Sequence, residues 1–185
     1  MVDLFNYTRR TSSVAHVGEL DLGGNNPIRI QSMTTTNTND TEACVHQAEE
    51  IIKAGGELVR FTTQGSREAE NMKNINAGIR ADGYNTPLVA DIHFNPNVAD
   101  VAALYCEKVR INPGNYVDPA RKFIKQEYTD EEYAHELQKI EERFVPFLNI
   151  CKENHTAIRI GVNHGSLSDR IRNRYGDTPE GIVES

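Results

Sequence analysis

The chain has 185 residues, a formal net charge of −7 and a pI near 5.4. That length supports one domain with a single core, and the acidic balance argues against general nucleic-acid binding. No apolar run is long enough to span a bilayer and the N-terminus lacks a signal-peptide core, so a cytoplasmic location is expected, with no membrane contact.

Residues 1–13 are polar and read as a surface segment, with the folded part at 14–185. A weak alternation from Val14 to Leu22 precedes Gly23-Gly24-Asn25-Asn26, a strong turn signal. This predicts a β-hairpin turning at 23–26, whose second arm (27–33) leads into the first main strand. The hydroxyl-rich stretch 34–40 is a loop that could cover a cavity mouth. It ends at an N-cap, Asp40 or Thr41, and a helix is expected over 41–54, stopped by Gly55-Gly56.

A strand at 58–64 follows, then a helix over 67–81 capped by Ser66. Next come a strand at 88–93 and a helix over 96–105 that begins with Pro96. A strand at 108–112 leads into a charged link beyond Gly114 that includes Asp118-Pro119. A long helix over 129–154 contains Pro146, where a bend or division is expected. A strand at 158–163 is followed by helix starts at Ser168 and at Thr178-Pro179-Glu180. Cys44, Cys106 and Cys151 are odd in number, widely spaced and set in helix-like apolar surroundings. They read as buried thiols rather than a disulfide framework or a zinc knuckle.

The order is β-α-β-α, which means parallel strands with right-handed crossovers. Four strands carry the same split, because side chains alternate across a strand. Val59 and Phe61 oppose Arg60, Thr62 and Gln64. Ala90, Ile92 and Phe94 oppose Asp91, His93 and Asn95. Val109 and Ile111 oppose Arg110 and Asn112, and Ile158, Ile160 and Val162 oppose Arg159 and Asn163. Strands inside an open doubly wound sheet are apolar on both faces. A consistently polar face at the strand ends therefore points to a (β/α) barrel of the TIM type, whose inner face lines a ligand cavity. Five main strands and the start of a sixth unit make it an incomplete barrel of five to six of eight βα units. The strand at 158–163 would then be an exposed edge. Self-association, partial order or cover by the terminal helix would follow.

Arg60, Arg110 and Arg159 hold matching inward places. Arginine keeps its charge, and Asp91 alone cannot neutralise three guanidinium groups. A phosphate or diphosphate would do so through bidentate contacts. The plain alternative is that the arginines snorkel outward or pair with helix carboxylates. Asp91 and His93, two residues apart on one face, fit metal ligation, general acid/base work or a structural hydrogen bond. No further ligand sits at a matching place, so a metal is not indicated. Asn112 and Asn163 end their strands with donor and acceptor to offer. Gly114 and Gly165 allow close backbone approach, and the amides of 163–166 could hold a phosphate oxygen. His164 has the opposite parity to Asn163 and falls outside the first layer around a ligand. His16, His46, His135 and His155 read as surface or linker residues.

The stretches Pro-Ile-Arg-Ile-Gln-Ser-Met-Thr (27–34), Pro-Leu-Val-Ala-Asp-Ile-His-Phe (87–94), Lys-Val-Arg-Ile-Asn-Pro-Gly-Asn (108–115) and Ile-Arg-Ile-Gly-Val-Asn-His-Gly-Ser-Leu (158–167) together resemble the 4-hydroxy-3-methylbut-2-en-1-yl diphosphate synthase (GcpE, or IspG) family. The likeness runs from about Arg10 to the last residue. It implies a TIM-type barrel followed by a smaller domain carrying a 4Fe-4S cluster. The implied substrate is 2-C-methyl-D-erythritol 2,4-cyclodiphosphate, reductively opened and dehydrated in non-mevalonate isoprenoid synthesis. Electrons would come from ferredoxin or flavodoxin. Carried over by motif, Arg60, Arg110 and Arg159 bind the diphosphate beside Asn112 and Asn163, and Asp91 and His93 line the pocket. The family's cluster ligands, three cysteines and a glutamate, have no counterpart here. The later barrel strands are missing as well. The family's dimer sets one subunit's cluster domain over the other's barrel, and some members carry an additional domain between the two. The chain alone is expected to be inactive. Rival readings are another phosphate-binding barrel enzyme resembling dihydropteroate synthase, a non-catalytic phosphometabolite-binding domain, and a metal-dependent lyase using Asp91 and His93.

Overall fold

A computed structural model describes residues 6, 10–93, 95–118 and 127–185. The expectations for most of the N-terminal segment, for Phe94 and for the charged link at 119–126 fall outside these residues.

The chain first forms a two-stranded antiparallel hairpin, β1 (Val14–Val17) and β2 (Leu20–Gly23). Val17 pairs with Leu20, so the turn lies at Gly18 and Glu19, where Gly18 takes φ 58°. The expected hairpin turn at 23–26 is therefore corrected. That stretch links the finished hairpin to β3 (Gln31–Met33), the first strand of the main sheet.

The main sheet has five strands in the order β3-β4-β5-β6-β7, all parallel. They are β3, β4 (Leu58–Thr62), β5 (Leu88–Asp91), β6 (Lys108–Ile111) and β7 (Ala157–Ile160). Between them run α1 (Thr41–Lys53), α2 (Ser66–Ala81), α3 (Pro96–Ala102) and α4 (Asp130–Glu153). Two short helices, α5 (Asp169–Tyr175) and α6 (Pro179–Glu184), follow β7.

Local chemistry sets most helix ends. Asp40 caps α1 by accepting from the Ala43 amide, and Asn95 caps α3 just ahead of Pro96. Thr129 and Glu132 form a reciprocal capping box at α4. Ser168 and Thr178 cap α5 and α6. The expected cap at Ser66 is corrected: Gly65 is the N-cap residue, without a side-chain bond, and Ser66 is the first residue of α2. The long helix runs through Pro146 undivided. Cys44 and Cys151 lie in helices, whereas Cys106 sits between α3 and β6; all three are buried and free.

One face of the strands carries the core. Val59, Phe61, Leu88, Ala90, Val109 and Ile111 pack against Cys44 and Ala48 of α1, Met72, Ile75 and Ile79 of α2, Val98 and Ala102 of α3, and Phe147 of α4. All four long connections thus lie on the same side of the sheet. A doubly wound sheet would divide them between two faces, so the sheet is a stretch of barrel wall, an incomplete (β/α) barrel. The other face is covered at the N-terminal ends of the strands by the hairpin. Val17, with Leu20 and Leu22, packs on Leu58 and Val89, and Ala157 joins them. The C-terminal half of the inner face stays polar. β3 and β7 are both outer strands of the sheet, with Ile30 and Ile160 well exposed. The edge expected at 158–163 is present at 157–160, and a second edge lies at the opposite end.

Candidate functional site

The register brings the inward residues into layers. Thr62 pairs with Asp91, Asp91 with Arg110, and Arg110 with Arg159. Paired residues of neighbouring strands point the same way. One layer nearer the hairpin, Val89 pairs with Lys108 and Lys108 with Ala157.

Asp91 is the hub. It is 2% exposed. Its Oδ2 accepts from Arg60 Nη2 at 2.5 Å and lies 3.0 Å from His93 Nε2, while its Oδ1 accepts from Arg110 Nη1 at 3.4 Å. Arg110, 6% exposed, is fixed from the other side by donating from Nη2 to the Gly161 carbonyl at 2.9 Å. Burial lowers the Arg110 pKa from its ordinary value. The Asp91 carboxylate works against this, and Arg60 and Arg159 add to it. Arg110 nevertheless remains a cation, because guanidinium does not deprotonate in proteins.

Gly161 makes the Arg110 pose possible. A β-carbon there would overlap Arg110 Nε, with Cδ and Cζ also within 2.9 Å. The Gly161 amide meanwhile donates to the Ile111 carbonyl.

Arg60 uses one nitrogen on Asp91, and its buried Nε has no hydrogen-bond partner. Arg159 is exposed and has no hydrogen bond or ion pair among the described residues. The two other candidates behave differently from one another. Asn163 is exposed at the end of β7, where its carbonyl accepts from the Ser166 amide and hydroxyl. Asn112 is buried, and its Oδ1 accepts from the Gly114 amide and the Ser185 hydroxyl. Its acceptor is therefore committed to shaping the turn, which corrects the expectation that it offers both groups. Only Nδ2 is left without a partner. His164 lies outside the arginine layer, as its parity implies, and contacts Asp177 at 2.5 Å.

The hydroxyl-rich loop at 34–40 is tied down. The Thr34 amide and the Thr38 hydroxyl donate to the carbonyls of Arg60 and Thr62, and Gln47 Oε1 accepts from the amides of Thr35 and Thr36. It borders the C-terminal end of β4 as a braced rim.

Two residues escaped the sequence reading. Lys108 shares the parity of Arg110, so its inward place was readable; it is 8% exposed. Gly161 lies between Arg159 and Asn163 on the same parity, but its role becomes visible only once Arg110 is placed over it. With Lys108 counted, the inner faces of β3 to β7 carry four cations, Arg60, Lys108, Arg110 and Arg159, and one carboxylate, Asp91. Such a face attracts an anion with several oxygens and more than one charge. Among the described residues no group of three or more His, Cys, Asp or Glu could hold a metal ion. Asp91 is engaged with His93 and with two arginines. Among the described residues no helix is long and apolar enough to cross a membrane.

Comparison with known proteins places this geometry. The family model described as the GcpE TIM-barrel domain matches residues 11–185. The chain is 76% identical over 184 residues to 4-hydroxy-3-methylbut-2-en-1-yl diphosphate synthase (flavodoxin) of Phocaeicola vulgatus, covering 100% of this chain and 30% of that protein. The similarly named protein of Parabacteroides distasonis is 67% identical over 181 residues, covering 98% and 30%, and that of Leptospira interrogans is 51% identical over 181 residues, covering 98% and 27%. The chain thus spans about 30% of the length of the curated relatives it matches. A dihydropteroate synthase from Vibrio fischeri ES114 covers 86% of this chain and 72% of its own at 13% identity and a TM-score of 0.41, too slight a likeness to argue from. A family model spanning nearly the whole sequence, and relatives this similar along it, mean that the chain belongs to the GcpE family, of which it forms TIM-barrel sequence.

Proposed function

We propose that this chain is the substrate-binding barrel part of a 4-hydroxy-3-methylbut-2-en-1-yl diphosphate synthase, and that its inner cationic face holds the diphosphate of 2-C-methyl-D-erythritol 2,4-cyclodiphosphate. The observation that carries this reading is the imbalance of the inner face, where Asp91 alone answers Arg60, Arg110 and Arg159. Arg159 and the spare nitrogens of Arg60 stay available for oxygens of a ligand. Asn163 borders them at the end of β7, and the Nδ2 of Asn112 offers one donor. His93, bound to Asp91, stands where it could hold or give a proton beside the anion.

The overall reaction is a two-electron reductive ring opening with loss of water. The relatives' names point to flavodoxin as electron donor, and ferredoxin is the other donor the family resemblance implied. A 4Fe-4S cluster would supply the electron transfer. The residues present do not fit that group: Cys44, Cys106 and Cys151 are separate buried thiols whose ionisation burial opposes, and no metal-binding cluster occurs among the described residues. The contribution assigned to this chain is to bind and orient the cyclodiphosphate, and by itself it should not turn the substrate over. In the longer protein, a homodimer that brings a cluster domain over this face would complete the site.

The test is calorimetric titration of the folded chain with the cyclodiphosphate, beside the Arg110→Ala variant. Saturable binding that the variant loses by tenfold or more supports the reading. Equal binding by the two, or none by a chain that melts cooperatively, overturns the claim that this face is a preformed diphosphate site.

A further inference from the structure

Lys108 sits deeper than Asp91, Arg110 and Arg159 on the inner face, in the layer from which Arg60 reaches up to Asp91. It lies one layer below Arg110, about 6.6 Å along the strand at ordinary strand rise, between Val89 and Ala157 in register. Both neighbours belong to the apolar cluster that the hairpin plugs, with Leu58 and Val17. Lys108 is 8% exposed, and its ammonium has no hydrogen bond or ion pair among the described residues. An apolar side chain would suit this floor without the cost of taking a charge out of water. The four-carbon stem is long enough to lift the amine from the floor towards the arginine layer. The groups whose charges bear on the amine are Arg159 and Arg60, both cations. A buried ammonium beside two guanidinium groups is poorly placed for stability and well placed for an anion.

We infer that Lys108 is a fourth anion contact at the floor of the pocket, taking the deeper phosphoryl group of a diphosphate whose outer group lies among Arg60, Arg110 and Arg159. This rests on the proposed diphosphate site and adds depth and selectivity to it. Three guanidinium charges less the Asp91 carboxylate leave a net of two, about what one phosphoryl group brings. The amine beneath gives a second phosphoryl group a partner, and so separates a diphosphate from a monophosphate. Lysine suits the position because it is a compact charge on a flexible stem.

The test is calorimetric titration with inorganic diphosphate and, separately, with inorganic phosphate. The proteins are the unaltered chain, Lys108→Met, Lys108→Gln and Arg110→Ala, each first checked for a cooperative melt. The expected result is that Lys108→Met and Lys108→Gln lose tenfold or more in diphosphate affinity while phosphate affinity changes less than threefold. Lys108→Met should also melt at a higher temperature than the unaltered chain. An unchanged preference for diphosphate over phosphate in both variants overturns the inference. So does a Lys108→Met variant that melts lower and binds normally, since that pattern marks a structural ion pair. Failure of the diphosphate site itself looks different: Arg110→Ala would then bind like the unaltered chain, or no protein would bind either anion.

Discussion

Replacing Gly161 with alanine probes the arginine site without touching any charge. The added methyl would overlap Arg110 Nε and crowd Cδ and Cζ, so the guanidinium must leave its place over β7. In leaving, it gives up the 2.9 Å bond from Nη2 to the Gly161 carbonyl. A hydrogen bond from a charged donor contributes about 1.5–3 kcal/mol, and at 1.4 kcal/mol per tenfold, displacing Arg110 should weaken diphosphate binding by roughly 10- to 150-fold. Stability should fall only modestly. Gly161 is not among the positive-φ glycines and its amide still bonds to Ile111. At such a position Gly→Ala gains about 0.4–1 kcal/mol from the unfolded chain, which offsets part of the lost bond. The assay pairs calorimetric titration of diphosphate with a thermal melt. Unchanged affinity in Gly161→Ala would refute the reasoning, because it would mean that the Arg110 pose does not matter for the anion. A large fall in melting temperature would refute the other half, that β7 tolerates the methyl.

Other perturbations separate charge from packing. Asp91→Asn leaves Arg60 and buried Arg110 without their carboxylate, so the ligand-free protein should lose about 3 kcal/mol. Bound diphosphate should then raise its melting temperature more than that of the unaltered protein, and equal ligand-induced shifts would count against this. The Lys108 amine is held below its ordinary value first by burial and then by Arg159 and Arg60. The native state thus sheds this proton before the unfolded chain does, and between the lowered value and the ordinary 10.5 the contribution of Lys108 to stability improves as pH rises. The melting advantage of Lys108→Met should therefore be largest near neutrality and shrink towards pH 10.5; an advantage that is flat or grows with pH would contradict the assignment. Thr129→Ala removes half of the capping box of α4. The expected cost is about 1 kcal/mol, or roughly 2–4 °C in melting temperature, with diphosphate affinity unmoved.

The barrel wall was legible because one period decided it. In β4, β5, β6 and β7 an apolar set alternates with a set carrying Arg60, Asp91, Arg110 and Arg159, and a strand with period 2 has no other way to arrange them than on opposite faces. The helix starts at Asp40, Thr129, Ser168 and Thr178 were equally local, each a side chain satisfying an amide close by, and Pro96 marked α3 as its first residue. The hairpin failed for the opposite reason. Gly23-Gly24-Asn25-Asn26 has the stronger turn composition, yet the fold needs Val17, Leu20 and Leu22 to reach Leu58 and Val89, and only a turn at Gly18 and Glu19 delivers them. No window of local sequence contains the other side of that contact. Asn112 was legible only in part, its acceptor being taken while its Nδ2 stays without a partner. Its position at a strand end reads as a ligand contact, but the following Pro113 and Gly114 form a tight turn whose amide claims its oxygen first.

The same contrast accounts for Asp91. Alternation places it among the arginines, but only the geometry shows how unequal its bonds are, 2.5 Å to Arg60 and 3.4 Å to Arg110. One carboxylate cannot satisfy two guanidinium groups equally from this position, and it does not reach Arg159 or Lys108 within bonding distance. It can, however, hold Arg60 and Arg110 at a fixed spacing while water fills the rest of the cavity. Like charges brought this close would otherwise push one another outward, and the pocket would have to be rebuilt each time an anion arrived. An anion that meets arginines already spaced by Asp91 and by the Gly161 carbonyl needs to displace water but not to order side chains, and the ordering of long cationic side chains is one of the larger entropic costs of binding. Asp91 therefore lowers the gross attraction of the face for an anion and raises the share of that attraction left over for affinity. Its replacement by asparagine should lower stability, and the larger ligand-induced shift expected of that variant means that the gain in gross attraction outweighs the lost ordering.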